Sequence, residues 1–207
     1  MNKNTKKEVI EIMLREYADA GCALDYDSTY HLLIAVVLSA QTTDVSVNKV
    51  TPELFKLAPE PKDMADLPVE KIEAIIRHIG MYRTKAEKIK QLSEILDTEY
   101  DGIVPGDFDE LVKLPGVGRK TANVVLSEAF GEQRIAVDTH VFRVANRIGL
   151  AKADNVLDTE LQLQKAIPHE NWTKMHHALI WHGRRVCSAR KPDCEHCCLC
   201  EICGRNF

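Results

Sequence analysis

Apolar residues recur at helical spacing along most of the chain, and no segment shows a sustained alternation of apolar and polar residues. Two such apolar stripes consist of Val9, Ile10, Met13, Leu14 and Tyr17, and of Ile72, Ile75, Ile76 and Ile79. Residues spaced three and four apart fall on one face of a helix, which is then buried against a core. The pattern therefore predicts an all-α fold.

Local signals predict where several of these helices begin and end. Pro68 precedes the second stripe, and Gly80 is a candidate stop for it. The string Thr84-Lys-Ala-Glu87 has the form of a capping box that opens a helix, and Asp107 indicates a similar start. Further helices are predicted over 119–130, 139–148, 156–167 and 173–186, and Gly131 is expected to end the first of them.

The longest uncharged run covers residues 28–43 and ends in polar residues. It is too short to span a bilayer, so it predicts a buried core helix. Residues 1–8 contain three lysines but no apolar run follows them, which does not fit a signal peptide. We therefore expect a cytoplasmic protein.

The charge of the chain bears on its binding partners only locally. The net charge is −4, yet phosphate contacts depend on clustered Lys and Arg rather than on the sum. Basic residues cluster as Lys113, Arg119 and Lys120, as Arg143 and Arg147, and as Arg184, Arg185, Arg190 and Lys191. A solvated surface explains any one cluster, whereas three of them favour a nucleic-acid partner.

The string Leu114-Pro-Gly-Val-Gly-Arg-Lys120 lies between two predicted helices. Gly116 and Gly118 allow a tight turn with positive φ, and such a turn bares amide groups that suit a phosphate. A plain helix–helix turn is the alternative. Lys120 falls in the first turn of the second helix, where positive potential and partial burial favour the neutral, nucleophilic amine. A surface phosphate-binding lysine is the alternative for this residue.

Asp138 precedes an amphipathic helix and is predicted to be its N-cap. Backbone amides that hold a carboxylate keep it ionised and rigid. The helix after Lys120 rises roughly 16 Å, and the connector that follows it returns roughly 26 Å if extended. The spacing therefore permits Lys120 and Asp138 to face one pocket.

Seven cysteines are present, and six of them lie between residues 187 and 203. Because a cytoplasmic protein keeps its thiols reduced, this crowding predicts a metal site rather than disulfides. Spacing alone leaves several ligand sets open. Cys194–Cys197 and Cys200–Cys203 form two metal-ligand pairs, but the gap between them is shorter than an ordinary zinc ribbon uses. Cys194, Cys197 and Cys200 imitate a ferredoxin-type run.

The hairpin string, continued through Thr121 and Ala122, resembles that of the endonuclease III family, whose members are helix-hairpin-helix DNA glycosylases and AP lyases. The string Leu38-Ser-Ala-Gln-Thr-Thr-Asp44 resembles a second signature of the same family. The resemblance implies that Lys120 is the nucleophile and that Asp138 supports departure of the base. It also implies that Gln41 fills the gap left by an everted nucleotide.

In the family, a leucine commonly acts as a wedge that enters the DNA duplex. This sequence departs from the family there, because it has Met81 at that position. Methionine is apolar but flexible, so we expect a less rigid wedge. The other DNA contacts implied by the resemblance are Gly116, Val117, Gly118, Arg119, His140, Arg143, Arg190 and Lys191.

The family pattern of cysteines implies that a [4Fe–4S] cluster is the cofactor. Its ligands are then Cys187, Cys194, Cys197 and Cys203, which leaves Cys198 and Cys200 without an assigned role. The expected part of this cluster is structural, since it orders a short tail and the loop that carries Arg190 and Lys191.

The resemblance covers most of the chain and implies two helical domains that flank a DNA-binding cleft. Residues 23–132 form the domain with the helix-hairpin-helix, and residues 1–22 and 133–207 form the iron–sulfur cluster domain. The implied function is a bifunctional DNA glycosylase and AP lyase that removes oxidised pyrimidines from damaged double-stranded DNA. We expect a monomer with no membrane partner.

Two alternatives remain at this point. An adenine-mismatch glycosylase of the same superfamily typically lacks the lysine and carries a glutamate in the helix equivalent to 33–38, where this chain has no acid. A non-enzymatic DNA-binding module with a zinc knuckle would make the combination of Lys120, Asp138 and Gln41 a coincidence.

Overall fold

The computed structural model describes residues 1–206, and all regular elements in this range are helical, which confirms the predicted all-α fold. The α-helices are α1 (Lys3–Glu16), α2 (Thr29–Leu38), α3 (Asp44–Leu57), α4 (Pro61–Asp66), α5 (Val69–Ile76), α6 (Tyr82–Glu99), α7 (Phe108–Leu111), α8 (Arg119–Phe130), α9 (Thr139–Ile148), α10 (Val156–Ala166) and α11 (Trp172–Arg185). A short 3-10 helix, His169–Asn171, precedes α11. Among these helices there is none with the length and apolar character needed to cross a bilayer.

The chain divides into two compact units. One unit is continuous and covers Ala23–Gly131, and the other joins Met1–Cys22 to the chain from Glu132 onward. We call them the continuous unit and the split unit. Within each unit several helices pack on one another, so each unit has its own core.

The continuous unit is built around α2, in which every residue from Tyr30 to Leu38 is buried. A helix that is apolar on all sides must be covered on all sides, and α3, α6 and α8 pack against it. The prediction of a buried core helix within residues 28–43 is therefore confirmed. The long helix α6 also packs on α4 and α5, and its apolar residues Ile89, Leu92 and Leu96 are buried.

The split unit is held together by α11, which packs on α1 and on α9. Of the apolar stripe predicted in α1, the residues Val9, Ile10, Met13 and Tyr17 are buried. The same core extends into the cysteine-rich segment, where Cys187 and Leu199 are buried with it. The tail is therefore attached to the helical core rather than separate from it.

Helix ends agree with the sequence only in part. Gly131 ends α8 in the left-handed conformation, and Asp107 caps α7, as predicted. The predicted capping box at Thr84 is wrong, because α6 begins at Tyr82 with Met81 as its N-cap. Gly80 does not end the preceding helix, since α5 ends at Ile76.

Candidate functional site

The hairpin between α7 and α8 turns on one left-handed glycine. Gly116 has a φ of 84°, whereas Gly118 is extended with a φ of −101°, so the prediction of two positive φ angles is half wrong. A Cβ at Gly116 would lie 3.2 Å from Val37 and 3.3 Å from Lys88, but a Cβ at Gly118 would meet nothing. Gly118 is the N-cap of α8 and offers no side-chain cap. The first amides of α8 are therefore open to a ligand.

Lys120 lies in the first turn of α8, beside this open helix end, and its side chain is exposed. The sequence predicted that Lys120 is partly buried, and this prediction is wrong because the side chain is exposed. The two other cations of the hairpin cluster have partners: Lys113 pairs with Glu110 at 2.8 Å, and Arg119 lies 5.3 Å over the ring of Phe108. Lys113 and Arg119 therefore contact neighbouring side chains, whereas the side chain of Lys120 is exposed to solvent.

Asp138 is the N-cap of α9, as predicted. Its Oδ1 accepts a hydrogen bond of 2.8 Å from the amide of Val141, and its side chain is half-buried. The carboxylate makes no other hydrogen bond among the described residues. A carboxylate in this position is fixed by the backbone and lies at the positive end of a helix dipole, which suits an ionised group.

Arg143, which the sequence predicts as a DNA contact, has a structural position in the split unit. Its guanidinium donates to the carbonyls of Gly183 and Cys187 at 2.9 and 3.1 Å and lies 3.2 Å from His140 Nδ1. Burial lowers the pKa of Arg143 from its usual value. These bonds join α9 to the C-terminal end of α11, a function that the basic cluster in the sequence did not reveal.

Arg147 holds the loop that carries Arg190 and Lys191. Its Nη1 donates to the carbonyl of Ser188 and its Nη2 to the carbonyl of Ala189, each at 2.7 Å. Arg190 and Lys191 are exposed, and neither forms an ion pair within residues 1–206. The loop therefore presents two positive charges to solvent from a fixed backbone.

Gln41 and Met81 share an uncommon backbone conformation. Both have positive φ, 54° for Gln41 and 57° for Met81, although neither is a glycine. Both side chains are exposed, and that of the apolar Met81 is 55% exposed. Left-handed backbone costs a non-glycine residue about 1–2 kcal/mol, so such positions are common where a side chain serves a ligand.

Lys85 is a buried lysine that belongs to none of the basic clusters or motifs of the sequence. It is 4% exposed and donates to the carbonyls of Leu38 and Ala40 and to Thr42 Oγ1. Its burial lowers its pKa to about 8. The charged positions that stood out in the sequence were clusters, and a single lysine in α6 gave no such signal.

Five cysteines line one cavity at the end of the split unit. They are the four predicted ligands Cys187, Cys194, Cys197 and Cys203, together with Cys200. The sulfurs of this set have hydrogen-bond donors nearby. Nη1 of Arg147 lies 3.7 Å from Cys187 Sγ, and the amides of Leu199 and Arg205 lie 3.4 Å from the sulfurs of Cys197 and Cys203. Donors of this kind stabilise thiolates, so the cavity fits a thiolate-bound metal centre.

Cys197 also belongs to a second group of possible ligands. The ligand atoms of His182, Cys197 and Cys198 lie within 4.8 Å of one another. Hydrogen bonds from Cys198, from His182 and from the Leu199 amide lower the pKa of Cys197 and favour its thiolate. His182 is held in turn by Tyr17, whose hydroxyl lies 2.8 Å from His182 Nδ1. Cys198 does not line the five-cysteine cavity.

Comparison with known proteins assigns this arrangement to a family. Residues 34–169 match the family described as HhH-GPD superfamily base excision DNA repair protein. Endonuclease III of Escherichia coli (strain K12) is 47% identical over 203 residues, which is 98% of this chain and 96% of that protein. Endonuclease III of Bacillus subtilis (strain 168) is 47% identical over 94% of this chain and 91% of that protein. The chain belongs to the endonuclease III family.

The solved structures agree with the family at the level of the whole fold. A trapped covalent intermediate of an endonuclease III with DNA superposes with a TM-score of 0.95 at 48% identity, over 99% of this chain and 97% of that one. A thermostable thymine-DNA glycosylase superposes with a TM-score of 0.86 at 25% identity, over 98% of this chain and 96% of that one. Membership of the endonuclease III family, inferred from the two sequence signatures, is therefore confirmed.

Proposed function

We propose that this chain is a bifunctional DNA glycosylase and AP lyase that acts on oxidised pyrimidines in double-stranded DNA. The observation that carries the proposal is the position of Lys120, an exposed lysine in the first turn of a helix whose N-terminus has no side-chain cap. The uncapped amides at this helix end can hold a phosphate next to the amine of Lys120. A lysine that attacks the sugar needs the phosphate beside it in this way. The covalent intermediate named for the similar endonuclease III supports this choice.

In the proposed reaction, the neutral amine of Lys120 attacks C1′ of the deoxyribose. The bond from Nζ to C1′ forms as the glycosidic bond breaks, and the base leaves with the bonding electrons and takes up a proton. Ring opening then gives a Schiff base between Lys120 and the sugar. Loss of a proton from C2′ expels the 3′ phosphate, which breaks the strand, and hydrolysis of the Schiff base frees the lysine.

Asp138 supports the same reaction as an ionised carboxylate. Its charge stabilises the positive charge that develops on the sugar as the base departs, and it accepts a proton from the attacking amine. The hydrogen bond from the Val141 amide keeps the carboxylate in one orientation. Preorganisation of this kind costs no rearrangement at the moment of reaction.

The DNA is held by groups from several elements. Gln41 and Met81 occupy the space vacated by the everted nucleotide, and eversion is needed because C1′ is not accessible in a stacked duplex. Arg190 and Lys191 contact phosphates, as do the amides that follow Gly118. We assign the domain that contains the helix-hairpin-helix to residues 23–132, and the cluster domain to residues 1–22 and 133–207.

A [4Fe–4S] cluster is the proposed cofactor, held by Cys187, Cys194, Cys197 and Cys203. When bound it supplies structural order, because four thiolate bonds cross-link a segment too short to have a core of its own. The hydrogen-bond donors near three of these sulfurs support the choice of ligands. Purified protein is expected to be brown with broad visible absorbance. A colourless protein with stoichiometric zinc would refute the cluster and favour the group at Cys198.

Borohydride trapping tests the catalytic proposal. Reduction during reaction with duplex DNA that contains an oxidised pyrimidine should give a covalent protein–DNA adduct, and Lys120→Ala should give none. Lys113→Ala is the matched control, since Lys113 belongs to the same cluster but pairs with Glu110. An adduct of equal yield in Lys120→Ala would remove the nucleophile assignment. A panel of duplexes with different damaged bases then identifies the preferred lesion.

A further inference from the structure

The ammonium of Lys85 donates three hydrogen bonds, and all of them go to one short segment of the chain, residues 38–42. Nζ lies 2.8 Å from the carbonyl of Leu38, 2.7 Å from the carbonyl of Ala40 and 2.9 Å from Thr42 Oγ1. An ammonium has three N–H donors, so each acceptor takes one of them. Burying a lysine is costly unless its charge is satisfied in this way, and the three bonds fix the segment relative to α6.

The segment held by Lys85 carries Gln41. The acceptors at Ala40 and Thr42 lie on either side of Gln41, whose φ is 54°. A non-glycine residue adopts this conformation only where its surroundings impose it. Two of the three bonds from Lys85 flank Gln41 and hold the backbone on both sides of it, and the side chain of Gln41 is exposed.

The same lysine lies one helical turn after Met81. The amide of Lys85 donates to the carbonyl of Met81 at 3.0 Å, which fixes Met81 as the first residue before α6. Gly80 lies against the other segment, since a Cβ there would be 3.8 Å from the carbonyl of Gln41. Lys85 therefore connects Gln41 with Met81. Its side chain bonds to the residues on either side of Gln41, and its backbone amide bonds to Met81.

A structural explanation accounts for part of this arrangement. The carbonyls at the end of α2 lack partners in their own helix, and a cation there is favourable in any fold. This explanation does not require the two residues beside the lysine to be exposed and left-handed. It also gives no reason for the apolar side chain of Met81 to be 55% exposed.

We propose that Lys85 is a positioning residue, which holds Gln41 and Met81 at a fixed separation so that both side chains enter the duplex together. The inference rests on the proposed function, since it assigns Lys85 to the step in which the damaged nucleotide is everted. It gives Lys85 no part in bond breaking at the sugar. Loss of Lys85 should therefore affect eversion and leave the Schiff-base chemistry intact.

Two substrates separate these steps in the full-length holoenzyme. The first is a damaged duplex with 2-aminopurine next to the lesion, whose fluorescence reports unstacking in a stopped-flow experiment. The second is single-stranded DNA with an abasic site, which needs no eversion before Lys120 reacts. In Lys85→Met we expect unstacking and duplex base release to slow roughly tenfold to a hundredfold, because a misplaced positioning group has effects of this size. Nicking of the single strand should stay near the wild-type rate.

Lys90→Met is the matched control. Lys90 also lies on α6 and donates to backbone carbonyls, those of Ala65 and Leu67, but in a segment far from Gln41 in sequence. Lys90→Met removes two hydrogen bonds to carbonyls and an ion pair with Glu94 at 3.5 Å, and it should leave unstacking unchanged. If Lys85→Met does not fold, Thr42→Val removes one of the three acceptors and should slow unstacking by a smaller factor.

A double-mutant comparison distinguishes positioning from general destabilisation. If Lys85 acts through Gln41, adding Lys85→Met to Gln41→Ala should slow unstacking less than it does in the wild type. Equal slowing on the duplex and the single strand, or additive effects of the two substitutions, would overturn the proposal. Failure of the proposed function gives a different result, namely no nicking and no borohydride adduct with the wild-type protein.

Discussion

The carboxylate of Asp138 accepts a hydrogen bond of 2.8 Å from the amide of Val141, so the proposed catalytic carboxylate is also the N-cap of α9. The two roles are separable because asparagine caps a helix about as well as aspartate. Asp138→Asn should keep the fold and lose the charge. We expect single-turnover base release to fall by roughly a hundredfold or more, the size of effect seen when a stabilising group is removed from a reacting centre.

Asp138→Ala completes the comparison by removing the cap as well. It should lower the free energy of unfolding by about 1 kcal/mol more than Asp138→Asn does. Thermal unfolding of both variants measures this difference. An Asp138→Asn enzyme with the wild-type rate of base release would limit the residue to its capping role.

The two glycines of the hairpin should respond differently to alanine. Gly116→Ala places a Cβ on a residue with a φ of 84°, 3.2 Å from Val37, and should lower stability by about 1–2 kcal/mol from backbone strain alone. Gly118 is extended and its Cβ would meet nothing within 4 Å, so Gly118→Ala should cost less, about 0.5 kcal/mol, because alanine is a poorer N-cap than glycine. Denaturant midpoints of the two variants give the comparison, and equal losses would contradict it.

The sequence predicted the helices whose apolar faces are regular. The stripes in α1 and α5, and the ends of α8 and α9, came from periodicity and capping residues, which act within one or two turns. Helices α3 and α4 were missed. Pro52 lies inside α3, where a proline weakens the sequence signal for a helix because it lacks the amide that the interior of a helix uses.

Contacts between distant segments explain most of what the sequence did not reveal at the site. Lys85 bonds to residues more than forty positions away, and Arg143 bonds to Cys187 across a similar interval. The cysteines were conspicuous because they are close in sequence, whereas a single buried lysine is not. The sequence could therefore indicate the candidate catalytic and metal-binding residues. It could not indicate which lysine and arginine side chains bond to backbone carbonyls inside the fold.

Arg190 and Lys191 should govern the salt dependence of DNA binding. Each phosphate contact contributes about 0.9 to the slope of log K against log salt, so Arg190→Ala should reduce the slope by about one. Lys7→Ala is a suitable control, since Lys7 is an exposed lysine of α1 that pairs with Glu11 at 3.7 Å. Binding isotherms on undamaged duplex at several salt concentrations measure both slopes. An unchanged slope in Arg190→Ala would remove this loop from the proposed DNA contacts.

Lys85 should release its proton at a lower pH than the other lysines, because burial lowers its pKa to about 8 from a usual value of 10.5. Between these two values the unfolded chain binds a proton that the folded chain has lost. Stability relative to Lys85→Met should therefore rise with pH in this window and be independent of pH below it. With lysine labelled at Cε, one NMR resonance, absent from Lys85→Met, should titrate near pH 8. Its titration near 10.5 would mean that the three hydrogen bonds offset the effect of burial.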